Sequence, residues 1–139
     1  MPALIEMMRE YSAHAPIATL QDIDSHDADH VAKLMTTMMA GRGFVLIDNE
    51  LRGFLAAIVT SNVWSPKIYE LRELAWWVRA DHRKGTIGGR LWMEFDKRAT
   101  QLMDQGRIDM VCTSVLSNSP FIDFTKRHYK LLEATFFRE

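Results

Sequence analysis

The chain has 139 residues, 47% of them hydrophobic, with 17 Lys and Arg against 18 Asp and Glu and a formal net charge of -1. That size suits one domain, residues 1–139, with one sizeable core, and the near-neutral charge gives no general attraction to nucleic acid or to an anionic membrane. The single cysteine, Cys112, excludes an intramolecular disulfide and a cysteine-rich zinc site.

No apolar run approaches the roughly 20 residues of a membrane span. Residues 1–9 carry Glu6 and Arg9 where a signal peptide would have an apolar core. The expectation is a cytoplasmic, soluble protein without membrane or nucleic-acid partners.

Leu4, Ile5, Met7, Met8 and Tyr11 recur at helical spacing up to Pro16 and predict a first helix. Ala28, Val31, Ala32, Met35, Met38 and Met39 line one face of a second helix, which Gly41 stops and for which Asp24 and Ser25 offer N-caps. His26 and His30 are four apart, as metal ligands on a helix can be, but with Asp27 and Asp29 they are read as a helix start, and no metal is expected.

The apolar runs 44–47 and 51–59 flank Asp48-Asn49-Glu50, a turn composition, and predict a hairpin. Residues 61–66 read as a loop and 68–78 as the longest strand. From Gly89 the apolar positions Leu91, Phe95, Ala99 and Leu102 step at helical spacing beside a charged ladder of Arg90, Glu94 and Arg98, and Gly106 ends that helix. Residues 110–115 are β-rich, Ser117-Asn118-Ser119-Pro120 signals a short helix over 121–127, and 129–132 with 135–138 predict two final strands. Helices thus alternate with strands around one sheet, a mixed α/β fold.

The most informative stretch is 74–92. The apolar strand end Leu74, Ala75, Trp76, Trp77, Val78 leads through a cationic, glycine-containing turn, His82-Arg83-Lys84-Gly85-Thr86-Ile87-Gly88-Gly89, directly into the long helix. The first N–H groups of a helix lack intrahelical partners, and the macrodipole puts partial positive charge there, so such a turn suits an anion, above all a phosphate. Neither G-x-x-x-x-G-K-[ST] nor G-x-G-x-x-G is present, which removes nucleotide hydrolysis and Rossmann dinucleotide binding.

The segment resembles the acyl-CoA loop of the GNAT N-acetyltransferases, in which a strand valine precedes an Arg/Gln-x-x-Gly-x-Gly/Ala turn by five residues. Val78, Arg83 and Gly88 occupy those places, with Thr86 at the first glycine place. The tail is similar to the family's C-terminal pattern over Ser117 to Phe121 and Phe124 to Tyr129. There Phe124 takes the place of the family's tyrosine and His128 that of its glycine. The layout resembles short phage and bacterial members over nearly the whole chain; the family's first strand has only residues 17–20 as a weak match.

The resemblance implies a GNAT-like fold, helices on both sides of a central, mostly antiparallel sheet. It also implies acetyl-CoA as acyl donor, held by Trp77, Val78, Arg83, Lys84, Gly85, Thr86, Ile87, Gly88 and Gly89. Its acceptor would be a small-molecule amine or a protein or peptide amine, and a homodimer is compatible with it. Glu73 and Glu70 are the implied candidates for the base and Tyr129 for the acid, since Phe124 has no proton to give. The residue pattern leaves open a non-catalytic acyl-CoA-binding protein, which Thr86 and Phe124 motivate, and a weaker nucleic-acid reading through the basic cluster of Arg79, His82, Arg83, Lys84 and Arg90. Acceptor contacts would come from variable regions, here 35–39 and 62–66.

Overall fold

A computed structural model describes residues 1–22, 26–120 and 122–139. Among the described residues four α-helices, α1 (Pro2–His14), α2 (Ala18–Gln21), α3 (Ala28–Thr37) and α4 (Ile87–Asp104), accompany four strands, β1 (Gly43–Ile47), β2 (Gly53–Asn62), β3 (Ser65–Val78) and β4 (Met110–Cys112). The strands form one sheet in the order β1-β2-β3-β4; β1, β2 and β3 pair antiparallel, and β4 joins β3 in parallel after the α4 crossover. Such a crossover is what a parallel pair requires.

Helices cover both faces. Ile87, Leu91, Trp92, Phe95 and Ala99 of α4 pack with Phe44, Leu46, Leu55, Ala57 and Leu71 of the sheet. On the other face, Leu4 and Met7 of α1 and Met35 and Met38 pack with Phe54, Ala56, Ala75 and Trp77. Each side draws alternate residues from the same strands, as the period of two demands. Met35 and Met38 are buried in this second core, so of residues 35–39, expected to border an acceptor, only Thr36, Thr37 and Met39 are exposed.

The start of α3 has a local cause. The Asp27 side chain accepts the His30 N–H at 2.9 Å, and the His26 ring Nε2 bonds the Leu20 carbonyl at 3.0 Å. The helix-start reading of this acidic, histidine-bearing stretch is therefore realised at Asp27; Asp24 and Ser25 lie outside the described residues. Among the described residues no group of three His, Cys, Asp or Glu stands close enough to hold a metal ion, and no helix is long and apolar enough to cross a membrane.

Several expectations are corrected. Residues 18–21 are the short helix α2 instead of a strand. The loop predicted over 61–66 shrinks to Val63 and Trp64, because β2 runs to Asn62 and β3 begins at Ser65; Asn62 Oδ1 accepts the Trp64 N–H at 2.9 Å and closes the turn. Among the described residues of the tail only the 3-10 turn Phe124–Arg127 forms and no strand follows Cys112; Phe121, where the predicted helix would start, lies outside the described residues. Residues 129–132 and 135–138 have an apolar, strand-like composition, but neither pairs with an edge of the sheet, and composition without pairing does not make a strand.

His128 closes the 3-10 turn with φ of 70°, in the left-handed region that favours glycine. This is the position at which the resemblance placed the family's glycine. Replacing it, His128→Gly, is expected to stabilise the chain by at most about 1 kcal/mol, strain relief being partly offset by the freer unfolded chain. Urea denaturation would check this, and a loss of stability would show that the imidazole contributes more than the strain costs.

Candidate active site

The ladder between β3 and β4 contains only Glu70↔Met110, Leu71↔Val111 and Arg72↔Cys112. Beyond Arg72, β3 continues six residues to Val78, paired only with β2. Past Cys112, where β4 ends, the outer edge of β3 has no strand paired to it among the described residues, and we call this open edge the wedge.

Which groups face the wedge follows from antiparallel pairing, in which hydrogen-bonded and non-hydrogen-bonded pairs alternate. Arg79 N–H donates to the Arg52 carbonyl at 2.8 Å, and Val78 is paired with the neighbouring Gly53, Trp77 with Phe54 and Trp76 with Leu55. The alternation directs Trp77's backbone toward β2 and leaves those of Trp76 and Val78 pointing into the wedge. Val78 thus presents its backbone to the wedge. Trp77 does not: its backbone serves the sheet, and its indole is buried on the α1 side, donating to Glu10 at 2.9 Å and packed by Tyr11 and His14. It is Trp76, one residue earlier, whose backbone faces the wedge beside Val78, as the register decides.

The wedge ends at the N-terminus of α4. Thr86 is the N-cap residue and makes no side-chain cap bond, and the first turn has no acidic residue. Arg90 N–H closes on Thr86 O at 3.0 Å, so the N–H groups of Ile87, Gly88 and Gly89 precede the first intrahelical bond. A Cβ on Gly88 would stand 3.3 Å from Val78 Cγ2, and Gly88 O accepts the Trp76 indole N–H at 3.2 Å. Glycine here lets the helix lie close on β3. Thr86 has φ of -100°, which any residue adopts, so the departure from the family's first glycine costs nothing in backbone strain.

His82, Arg83, Lys84, Gly85, Thr86, Gly89 and Arg90 are exposed around this turn, while the Ile87 side chain anchors it in the α4 core. Arg83 Nε donates to the outward-facing Val78 carbonyl at 2.9 Å, and its guanidinium carbon lies 4.2 Å from the centre of the Trp77 ring. Arg79 turns away to α1, where it pairs with Glu6 at 3.4 Å and Glu10 at 3.7 Å. It is thereby removed from the basic cluster.

Glu73 is the first β3 residue past the ladder and is 8% exposed. Leu74 bulges between the pairs Ala57↔Glu73 and Ala56↔Ala75, at the point where the strands part. Burial pushes the Glu73 carboxyl up to about 7, against hydrogen bonds from the Ser114 N–H and the Thr113 hydroxyl that favour its charged form. A carboxyl poised near neutrality suits proton transfer. Tyr11 of α1 lies within its electrostatic reach; burial first, and then the Glu73 charge, raise the phenol.

Glu70 has a different environment. Its side chain is held by Arg72 Nε at 2.5 Å and Asn62 Nδ2 at 3.2 Å. Burial opposes its ionisation, but these bonds outweigh burial and lower its pKa, so at neutral pH it is a paired carboxylate and a poor base. Tyr129 packs against Trp92 and Phe124 and donates its hydroxyl proton to Asp96 Oδ1 at 2.8 Å. Burial and this acceptor raise its pKa far above the ordinary phenol value. It is directed to α4 and is ill-suited as the acid, which corrects that expectation.

No protein-family model matches the sequence, and no curated protein matches it. Solved structures do. An aminoglycoside acetyltransferase from an uncultured soil metagenomic sample, solved with sisomicin, matches 99% of this chain and 86% of its own at 14% identity and a TM-score of 0.60. The ribosomal-protein-alanine N-acetyltransferase of Brucella melitensis biovar Abortus 2308 matches 99% and 91% at 13% identity and a TM-score of 0.52. A GNAT family acetyltransferase of Staphylococcus aureus matches 81% and 77% at 14% identity and a TM-score of 0.52. The fold of this chain is that of the GNAT acetyltransferases.

Proposed function

We propose that the chain is an N-acetyltransferase that carries the acetyl group of acetyl-CoA to a primary amine by direct attack. The observation that carries this reading is the wedge itself. The outward-facing backbones of Trp76 and Val78 run into a bare helix N-terminus at Ile87, Gly88 and Gly89, and Glu73 is buried at the apex. A pantetheine amide fits the strand-like groups of Trp76 and Val78, and a pyrophosphate fits the N–H groups of Ile87 to Gly89 with Arg83 and Lys84 beside it. On entry the pantetheine would displace Arg83 from the Val78 carbonyl and free its guanidinium for the phosphates.

In the reaction the amine lone pair attacks the thioester carbonyl, the C–S bond breaks, and the amine loses one proton. Glu73 takes that proton and returns it to the departing thiolate, so one carboxyl accounts for both transfers without a tyrosine at Phe124. Orientation of the two reactants supplies most of the remaining rate. The acceptor class is a small-molecule amine, for which the aminoglycoside acetyltransferase among the structural neighbours gives the first substrates to try.

The test is calorimetry with coenzyme A, followed by thiol release from acetyl-CoA with aminoglycosides, polyamines, lysine peptides and peptides with free N-termini. Binding together with thiol release on one acceptor class is expected. Tight binding with no release on any of them would favour the non-catalytic acyl-CoA-binding reading, and absent binding would sink both.

A further inference from the structure

Thr113 is the first β4-side residue past the ladder, as Glu73 is on β3, so the two follow the last parallel pair, Arg72↔Cys112, across the mouth of the wedge. The Trp92 indole N–H, from α4, donates to Thr113 Oγ1 at 3.3 Å. An indole nitrogen can only donate and an ionised carboxylate can only accept. The hydroxyl between them is thereby polarised in one direction: it accepts from Trp92 and has its own proton left for Glu73.

Trp92 is itself fixed. It is 6% exposed and is packed by Phe95, Phe124 and Tyr129 at ring separations of 6.1, 5.3 and 5.7 Å. Phe124, where the resemblance expected a proton donor, thus serves as a wall that holds the indole in place.

We propose that Thr113, oriented by Trp92, is the positioning residue that aims the Glu73 carboxylate into the wedge and sets the pH range in which it accepts a proton. This rests on Glu73 being the base. The groups around Glu73 leave little else to set it: Ala57 opposite on β2 and Trp92 on α4 carry no charge, Ser114 supplies only its backbone N–H, and Tyr11 on α1 is the titratable group that feels the Glu73 charge.

The experiment follows the Glu73 side-chain carboxyl by carbon NMR across pH in the full chain, assigned by its loss in Glu73→Gln, and in parallel the pH dependence of acetyl transfer. Thr113→Val is expected to move the Glu73 midpoint up by about one pH unit, tenfold in ionisation below it, and to move the acidic limb of the rate equally. Thr113→Ser, which keeps the hydroxyl, is expected to restore both, and Trp92→Phe to move both in the direction of Thr113→Val by less. An unmoved midpoint in folded Thr113→Val, or a serine variant that behaves like the valine one, would overturn the role of Thr113. A midpoint that moves while the rate's acidic limb stays leaves the Thr113 link in place and removes Glu73 as the base.

Discussion

Glu73→Gln is expected to raise thermal stability at pH 8 while lowering acetyl transfer by about a hundredfold or more, the range of a lost general base. The two effects have one cause. The folded carboxyl is raised from 4.5 to about 7 by burial, so between those values the folded chain keeps a proton that the unfolded chain has released. Stability contributed at this position is full below about pH 4.5, falls as pH rises through the window and stays low above about 7. At pH 8 the charged group costs the fold about 3 kcal/mol.

Glutamine keeps the shape and an oxygen for Thr113 and Ser114 but cannot ionise. Its melting temperature should therefore exceed that of the parent by roughly 10 °C at pH 8 and by little at pH 4. Scanning calorimetry at the two pH values checks the first effect and thiol release the second. Equal melting temperatures at pH 8 would remove the buried-charge account, and turnover within threefold of the parent would remove Glu73 as the base.

Arg83→Glu is expected to weaken coenzyme A binding by tenfold or more, about 1.4 kcal/mol at the least. The side chain stands where β3 ends and α4 begins, exposed, and is held in place by the Val78 carbonyl and the Trp77 ring. Reversal puts a carboxylate among His82, Lys84 and Arg90 at the helix N-terminus, where it neutralises the positive potential that a phosphate would otherwise meet. High salt should shrink the difference, because exposed charges are screened. Arg79→Gln is the matched control. Arg79 faces Glu6 and Glu10 on α1, and its loss should leave affinity within about twofold. Calorimetry giving unchanged affinity for a folded Arg83→Glu would sink the assignment of the turn.

The basic turn before α4 was legible because its signal is local. Val78, Arg83 and Gly88 lie within eleven consecutive residues, and helix initiation, glycine packing and charge all act over that range. The same holds for α4, whose period of apolar residues matches its buried face, Leu91, Phe95 and Ala99. The tail was less legible, because 129–132 and 135–138 carry strand-like apolar residues but a strand exists only when it is paired. Which of Trp76 and Trp77 turns its backbone outward was not legible for a related reason: the pairing with β2 sets it.

The sequence by itself determined the fold class and the wedge's basic end, which follow from residue type and short-range spacing, and offered Glu73 as a candidate base through the family resemblance. Only the tertiary structure separated the two glutamates, pairing Glu70 with Arg72 and burying Glu73, and only it turned Tyr129 toward Asp96. It alone joined Trp92 to Thr113, 21 residues apart. Proton affinity depends on desolvation and on partners brought from elsewhere in the chain, and neither is a property of a residue's neighbours in sequence.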